Sequence, residues 1–419
     1  WDISKEKFWS STGIDRVLSS LKFRGSYGTV GNNGLGDFSA FTFYGAGLYG
    51  GSPTLAFNQA GNKDLKWETS SKTDIGFSFG LFNDKITGDV AYYRNDYKDL
   101  ILSVPQPPSA GLPNAINQNV ASLYNKGYEF TLNATPVNKR DFSWTTSFNG
   151  ATNKNLVTKL APLASITQIP NTTSGLETVS ITKEGYPIGS LFVTRTGGVD
   201  PATGRRIFIN AAGKQVFFQL VAPAGQFQYM YADGTKAPNV SSADAQVYKN
   251  TSPKFYGGWD NTFRFKNFEV DMLWTFQTGF YVYYGSNAGL RDQRFWNNST
   301  DVLRRWQKPG DVTDIPKIIN GDNVSNGSSF PLDVNVFKGD FAKLKTLTLS
   351  YYVPKQLLDK AKMSSAKFYV SAQNLAIITK YPGPDPEVSS NGNANNTQGV
   401  DRNTVANGRV LTVGLNITF

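Results

Sequence analysis

A chain of 419 residues with 42 Lys+Arg against 32 Asp+Glu, a net charge of +10, no Cys and no His excludes several kinds of chemistry at once. Without Cys there is no disulfide framework or thiolate metal site, and without His neither the Ser-His-Asp and Cys-His constellations nor the usual zinc ligand sets can be assembled. The basic balance suits an anionic surface such as lipopolysaccharide; no nucleic acid is expected, because Lys and Arg are scattered and the aromatics fall at strand spacing.

The 40 Gly, 20 Pro and 14% aromatic residues suit a strand-and-turn protein with aromatic girdles. No stretch approaches the roughly 18 apolar residues of a spanning helix. The chain opens on Trp1-Asp2-Ile3-Ser4-Lys5, with neither an initiator Met nor a basic-then-apolar leader, and so reads as processed or partial. Segments that read as β-strands then follow near residues 20–29, 72–82, 85–95, 125–134, 142–152, 256–265, 268–279, 343–353, 366–375 and 409–419.

Their residues split by face. Leu411, Val413, Leu415, Ile417 and Phe419 point one way, and Thr412, Gly414, Asn416 and Thr418 the other. The same split recurs at Leu347, Leu349 and Tyr351, at Tyr128, Phe130 and Leu132, and at Val270, Met272, Trp274 and Phe276. A soluble sandwich would alternate in the same way, so the deciding feature is the connections. If Phe419 lies in the periplasm, the short links 83–84, 135–141, 266–267 and 354–365 all fall there, the last with room for one short helix. The long links 30–71, 96–124, 153–255, 280–342 and 376–408 all fall outside the cell. Tight periplasmic turns and long extracellular loops are the signature of an all-β transmembrane antiparallel β-barrel.

On the polar face Lys22, Arg24, Lys72, Lys85 and Arg264 nearly cancel Asp74, Asp89, Glu129, Asp260, Glu269 and Asp271. That suits a wet lumen holding a plug or a polar ligand, not a pore selective for one sign of ion. Gly45-Ala46-Gly47-Leu48-Tyr49-Gly50 fits the dinucleotide fingerprint, but Gly51-Ser52-Pro53 follows where a helix is needed, and a flexible extracellular loop is the better reading. Glu269 and Asp271 share a face at a spacing a glycosidase could use, with a lumen-facing charged pair as the plainer alternative. No catalytic residue and no cofactor is expected. Asp322, Asn323 and Asn326, or Asp385 and Glu387, could supply oxygen ligands for a structural Ca²⁺; neither follows the EF-hand spacing, and turns are the favoured reading.

The aromatics of the long loops are the candidate ligand contacts: Phe43 and Tyr44 beside Phe41, Tyr283 and Tyr284 beside Phe280 and Tyr281, and Phe295 and Trp296 beside Arg291 and Arg294. Flat rings stack on sugars or pack on peptide side chains, and neighbouring Arg groups orient hydrogen bonds. The competing reading is an upper girdle or loop-on-loop packing.

Several stretches resemble the SusC/RagA-type TonB-dependent transporters of Bacteroidetes outer membranes. LKFRGSYGTVGN from Leu21 to Asn32, NKDLKWET from Asn62 to Thr69 and YYRNDYKDLI from Tyr92 to Ile101 are similar to family strand-and-loop runs, with Tyr97 standing where the pattern has Thr. GYPIG from Gly185, GVDPATG from Gly198, PKFYGGW from Pro253 and GDFAKLKTLTLSY from Gly339 look like others. The most specific run is SAQNL from Ser371 followed by TKYPGPDPEV from Thr379. The resemblance spans the chain but maps onto the C-terminal portion of the family, whose members resemble roughly 22-stranded barrels.

The resemblance therefore implies that residues 1–419 are one partial barrel of about ten strands, in the outer membrane and surrounded by its lipid, lacking the plug and the N-terminal remainder of the same transporter. It implies uptake of an oligosaccharide or oligopeptide with a SusD-like surface lipoprotein, driven by the TonB-ExbB-ExbD complex through the missing plug. It implies no enzymatic step. The alternative is a soluble β-rich glycan-binding protein, whose apolar faces would turn inward.

Overall fold

The computed structural model describes residues 1–106, 109, 115–160, 168–173, 177–293, 297–328, 330–387, 389–392, 394 and 396–419. Among these, ten strands pair antiparallel in chain order: β1 (Leu18–Asn32), β2 (Glu68–Leu81), β3 (Ile86–Pro105), β4 (Ala115–Asn138), β5 (Phe142–Thr152), β6 (Phe255–Phe265), β7 (Phe268–Thr278), β8 (Phe341–Tyr352), β9 (Ser365–Thr379) and β10 (Val410–Thr418). They correspond one to one with the strands read from the sequence. A further strand, Lys154–Leu160, continues β5 upward along β4.

The links sort by length as expected. At one end lie the four-residue turn 82–85, the bend 139–141, the two-residue turn Lys266–Asn267 and the connection 353–364 with its helix Lys355–Lys360. Phe82, Asn83 and Asp84 all take positive φ, and Asp84 accepts hydrogen bonds from Ser19 and Ser20. At the other end the loops 33–67, 153–254, 279–340 and 380–409 build a folded crown.

One expected loop is instead strand. Residues 96–124 were expected to be a long link, yet β3 and β4 stay paired as far as Val104 and Ile116. A register shift at Tyr97–Leu100, with Asp99 at φ 57°, breaks the two-residue period there and hides the continuation. Above the shift Tyr97, Leu100 and Leu102 pack on Ala121, Leu123, Val157 and Leu160.

Register fixes which side chains share a face. Arg24, Gly76, Ala91 and Glu129 stand in one row, as do Ser147, Asp260 and Leu273. The opposite face carries Phe23, Ile75, Phe77, Tyr128, Leu132, Trp259, Leu349, Phe368, Val370, Leu411, Val413 and Leu415, all exposed, with Leu411 at 72% and Val413 at 76%. Glycines on this face are covered by rings: a Cβ on Gly150 would collide with Phe130, and one on Gly88 with Phe79. The conventional cores lie in the crown. Val179, Leu191, Val193, Tyr283 and Val400 form one cluster; Phe208, Val216, Phe218, Ala237 and Leu332 form another.

Gly45–Gly50, expected to be a flexible loop, lies in the hairpin Phe43–Tyr49/Ser52–Gln59. Its turn is made by Gly50 and Gly51 at φ 57° and 85°, the backbone region a tight primed turn requires.

Candidate functional site

The lower part of the polar face is neutralised by ion pairs. Arg24 reaches Asp74 through Nε at 3.2 Å and grips Asp89 with both terminal nitrogens, while Ser78 donates to Asp89 at 2.7 Å. Across the sheet Tyr352 donates to Glu269 at 2.8 Å, Lys367 lies 3.9 Å from the same carboxylate, and Thr262 donates to Asp271 at 2.7 Å. Glu269 and Asp271 are thus each held as hydrogen-bond acceptors inside this lumen-facing network.

The upper part is open. Tyr256 and Gln277 pair across β6 and β7 on the polar face. They floor a cleft of about 460 Å³ whose roof is Pro386, Glu387, Ser389, Gln398 and Gly399. An adjoining space of about 470 Å³ runs to Glu68, Tyr97, Asn125 and Asn155 and shares Gln398. Tyr93, on the same face, donates to the carbonyl of Thr152 at 3.0 Å and lies 3.1 Å from Asn153 Oδ1, so the shelf is tied to the start of the long loop.

The roof is stapled down. Lys343 of β8, buried with 3% of its side chain exposed, places its ammonium 2.9 Å from Asp385 and 2.6 Å from Glu387; Lys345 lies 3.3 Å from Glu387. Asn407 donates to Asp385 at 3.1 Å. Burial pushes the Asp385 carboxyl up, but the hydrogen bonds from Lys343, the Glu387 amide and Asn407 outweigh it and hold it below the ordinary carboxylate range. Tyr381 donates to Asp401 at 2.7 Å. Burial first, and that carboxylate second, push its hydroxyl well above the usual tyrosine range. Val400–Asp401 adds in parallel to Tyr281–Tyr284, which joins the loops 279–340 and 380–409 into one sheet.

The residues singled out from the sequence separate here. Phe43 and Tyr44 stand exposed on the protruding hairpin, with Tyr44 against Phe57 at 4.7 Å between ring centres. Tyr284 is half-buried between Phe337 and Tyr381. Tyr283 is a correction: with no exposed surface it belongs to the crown core beside Val179 and Val400 and offers no ring to a ligand. Arg291 is another. Its fork is closed on Asp314 at 2.8 Å and Asp301 at 2.9 Å, ion pairs within the crown. Arg294, Phe295 and Trp296 lie outside the described residues.

Three of the candidate Ca²⁺ ligands are already engaged: the Lys343 ammonium sits between Asp385 and Glu387, and Asp322 accepts from the amides of Val324 and Asn326 as a turn. Sequence reasoning missed the shelf of Tyr93, Tyr256 and Gln277. The available signal was their shared face, which does not reveal which strand tops the loops cover.

A sheet that is apolar and exposed outside, polar and ion-paired inside, with turns at one end and a folded crown at the other, is the wall of an outer-membrane β-barrel. It is not a soluble sandwich, whose apolar faces would meet. Residues 1–198 match the family profile described as TonB dependent receptor-like, beta-barrel. TonB-dependent receptor P3 of Formosa agariphila is 28% identical over the whole chain, and TonB-dependent receptor SusC of Bacteroides thetaiotaomicron is 26% identical. The fold superposes on the RagAB peptide transporter with a TM-score of 0.80 at 24% identity, over the whole chain and 42% of that one. The chain has the barrel fold of the SusC/RagA-type TonB-dependent receptors, which places it in the outer membrane. It spans 41% of the length of receptor P3 and 39% of SusC.

Proposed function

We propose that residues 1–419 are one unit, the wall and ligand-gathering crown of a TonB-dependent importer that takes up an oligosaccharide or oligopeptide. The observation that carries this reading is the cleft on the polar face above Tyr256 and Gln277, roofed by a loop that Lys343 staples to the wall. Its floor offers a phenol ring and an amide, its rim the Glu387 carboxylate, and it opens next to a second space of similar size. Such a site holds an extended oligomer by ring contact and directed hydrogen bonds. Phe43 and Tyr44, exposed on the hairpin, are the proposed outer contacts, either with the ligand or with a SusD-like lipoprotein lid. Energy is supplied by the TonB-ExbB-ExbD complex acting through a plug. The likeness to SusC and to the RagAB peptide transporter supports the partner and the coupling.

The test is uptake by cells carrying the protein in its native context. Wild type should import labelled oligopeptides or oligosaccharides, and whichever pool it depletes names the substrate. Tyr256→Ala with Gln277→Ala should cut uptake at least about tenfold while leaving the amount in the membrane unchanged, as expected when ring contact and a directed hydrogen bond are both lost. A tag on the chain should bring down a surface lipoprotein from detergent-solubilised membranes. Unchanged uptake by the double variant removes the cleft from the pathway.

A further inference from the structure

The outward face ends differently on different strands. Along β6 to β9 its upper end carries Phe255 opposite Thr278, then Phe276, Ala342 and Ile378, with no charged side chain on the outward face of these strands. On β3, β4 and the strand Lys154–Leu160 it changes character. Arg94 is directly opposite Lys126, and Lys126 is directly opposite Lys154, one outward step above the ring pair of Tyr92 and Tyr128. Lys98 stands two outward positions further up β3, beyond Asp96.

Like charges directly opposite on one face repel. Adjacent strands are about 4.8 Å apart, so this row packs three cations into about 10 Å. Only Arg94 is answered, by Asp96 at 2.8 Å; among the described residues Lys98, Lys126 and Lys154 have no ion-pair partner. The cations are nonetheless held in place. Tyr124 lies between Arg94 and Lys126, with the guanidinium 5.2 Å and the ammonium 5.4 Å from its ring centre. Lys98 and Lys154 are exposed.

A row of three positioned cations answered by a single carboxylate, just above the aromatic band of this sector, fits an anion fixed at the membrane surface. We propose that Lys98, Lys126 and Lys154 bind the phosphate of a phosphorylated glycolipid headgroup, lipid A of the outer leaflet. The acyl chains would lie down the apolar face over Tyr92, Tyr128 and Phe130. This rests on the outer-membrane placement of the sheet. It explains why this sector turns basic at the height where a lipid phosphate lies, when the outward faces of β6 to β9 carry no charge within the strands.

The experiment is native mass spectrometry of the protein, extracted from its membrane with the rest of its barrel and reconstituted in nanodiscs containing monophosphoryl lipid A. Wild type should retain lipid A and lose it when the lipid is enzymatically dephosphorylated beforehand. Removing charge by K98Q, K126Q and K154Q should weaken retention about fivefold per lysine, with phosphatidylethanolamine retention unchanged. Inorganic phosphate at millimolar concentration should not displace the lipid. Equal retention of the dephosphorylated lipid, or full retention by the triple variant, overturns the proposal, and displacement by inorganic phosphate would make the row a small-anion site instead. The dephosphorylation arm needs no variant, so it decides even if the substitutions impair folding. A protein that never enters the nanodisc would instead overturn the membrane placement beneath it.

Discussion

Wall and crown are built from the same two-residue alternation and use it in opposite senses. In the wall the apolar half faces out and is exposed at Leu349, Val370 and Val413, while the inward half carries Arg24, Asp89, Glu269 and Asp271. In the crown the apolar half meets itself, as Leu191 and Val193 do on Tyr283 and Val400. The reversal occurs within single strands: the inward side of β3 is polar at Asp89, Tyr93 and Asn95, and above the shift at Asp99 it is apolar at Leu100 and Leu102. What decides the sense is the medium on each side, hydrocarbon around the wall and protein within the crown, not the pattern in the chain.

The seam between the two should be the most sensitive point. Lys343→Met leaves the buried Asp385 without its cation, while Glu387 keeps Lys345, a loss of about 3–5 kcal/mol. It should expose the loop 380–409 to protease while the wall stays resistant; an unchanged cleavage pattern would mean that the staple does not hold the roof. In the crown, Leu191→Ala removes a fully buried side chain and should cost about 2–5 kcal/mol, read as a lower unfolding midpoint of the crown alone. In the wall, Leu349→Arg puts a charge into hydrocarbon at about 2–4 kcal/mol, whereas Thr348→Arg, one residue away on the wet face, should be close to neutral. Equal penalties in urea titrations from liposomes would erase the distinction between the faces.

The wall was legible in the sequence because its alternation runs unbroken from one short link to the next, and ten strands follow from that. Strand ends were less so, since the extra residue at Asp99 shifts the period where β3 leaves the membrane. The crown was not legible, because its cores join residues far apart: Val179 meets Val400, and Arg195 pairs with Asp333 at 2.8 Å. A tyrosine or arginine in a long loop therefore reads the same whether it awaits a ligand or is packed. Tyr283 and Arg291 proved to be packed, while Phe43 and Tyr44 are open. The staple was half visible: Asp385 and Glu387 were noted as a pair of carboxylates that could hold a cation, with a turn as the favoured reading, and Lys343 as their partner is supplied only by the fold.

The smallest expected effect distinguishes the two regions by acid. Asp385 at the seam and Asp301 in the crown both have carboxyls held below the ordinary range. Asp301 is held there by the hydrogen bond from Arg291; Asp385 is pushed up by burial but brought lower by its hydrogen-bond donors. A group whose folded-state pKa is depressed adds stability that is present above its unfolded value, near pH 4, and is lost as the pH falls through the folded value. Crown stability should therefore be flat from neutrality down to about pH 4 and decline below it. Protonation of Asp385 weakens the staple from the carboxylate side, so the roof should become protease-sensitive in the same window in which the crown loosens. The wall has carboxylates of its own on the wet face, at Asp74, Asp89 and Glu269, but burial of its apolar outward face in hydrocarbon should carry it through that window folded. Loss of wall and crown at one common pH would mean that the two regions unfold as a single unit.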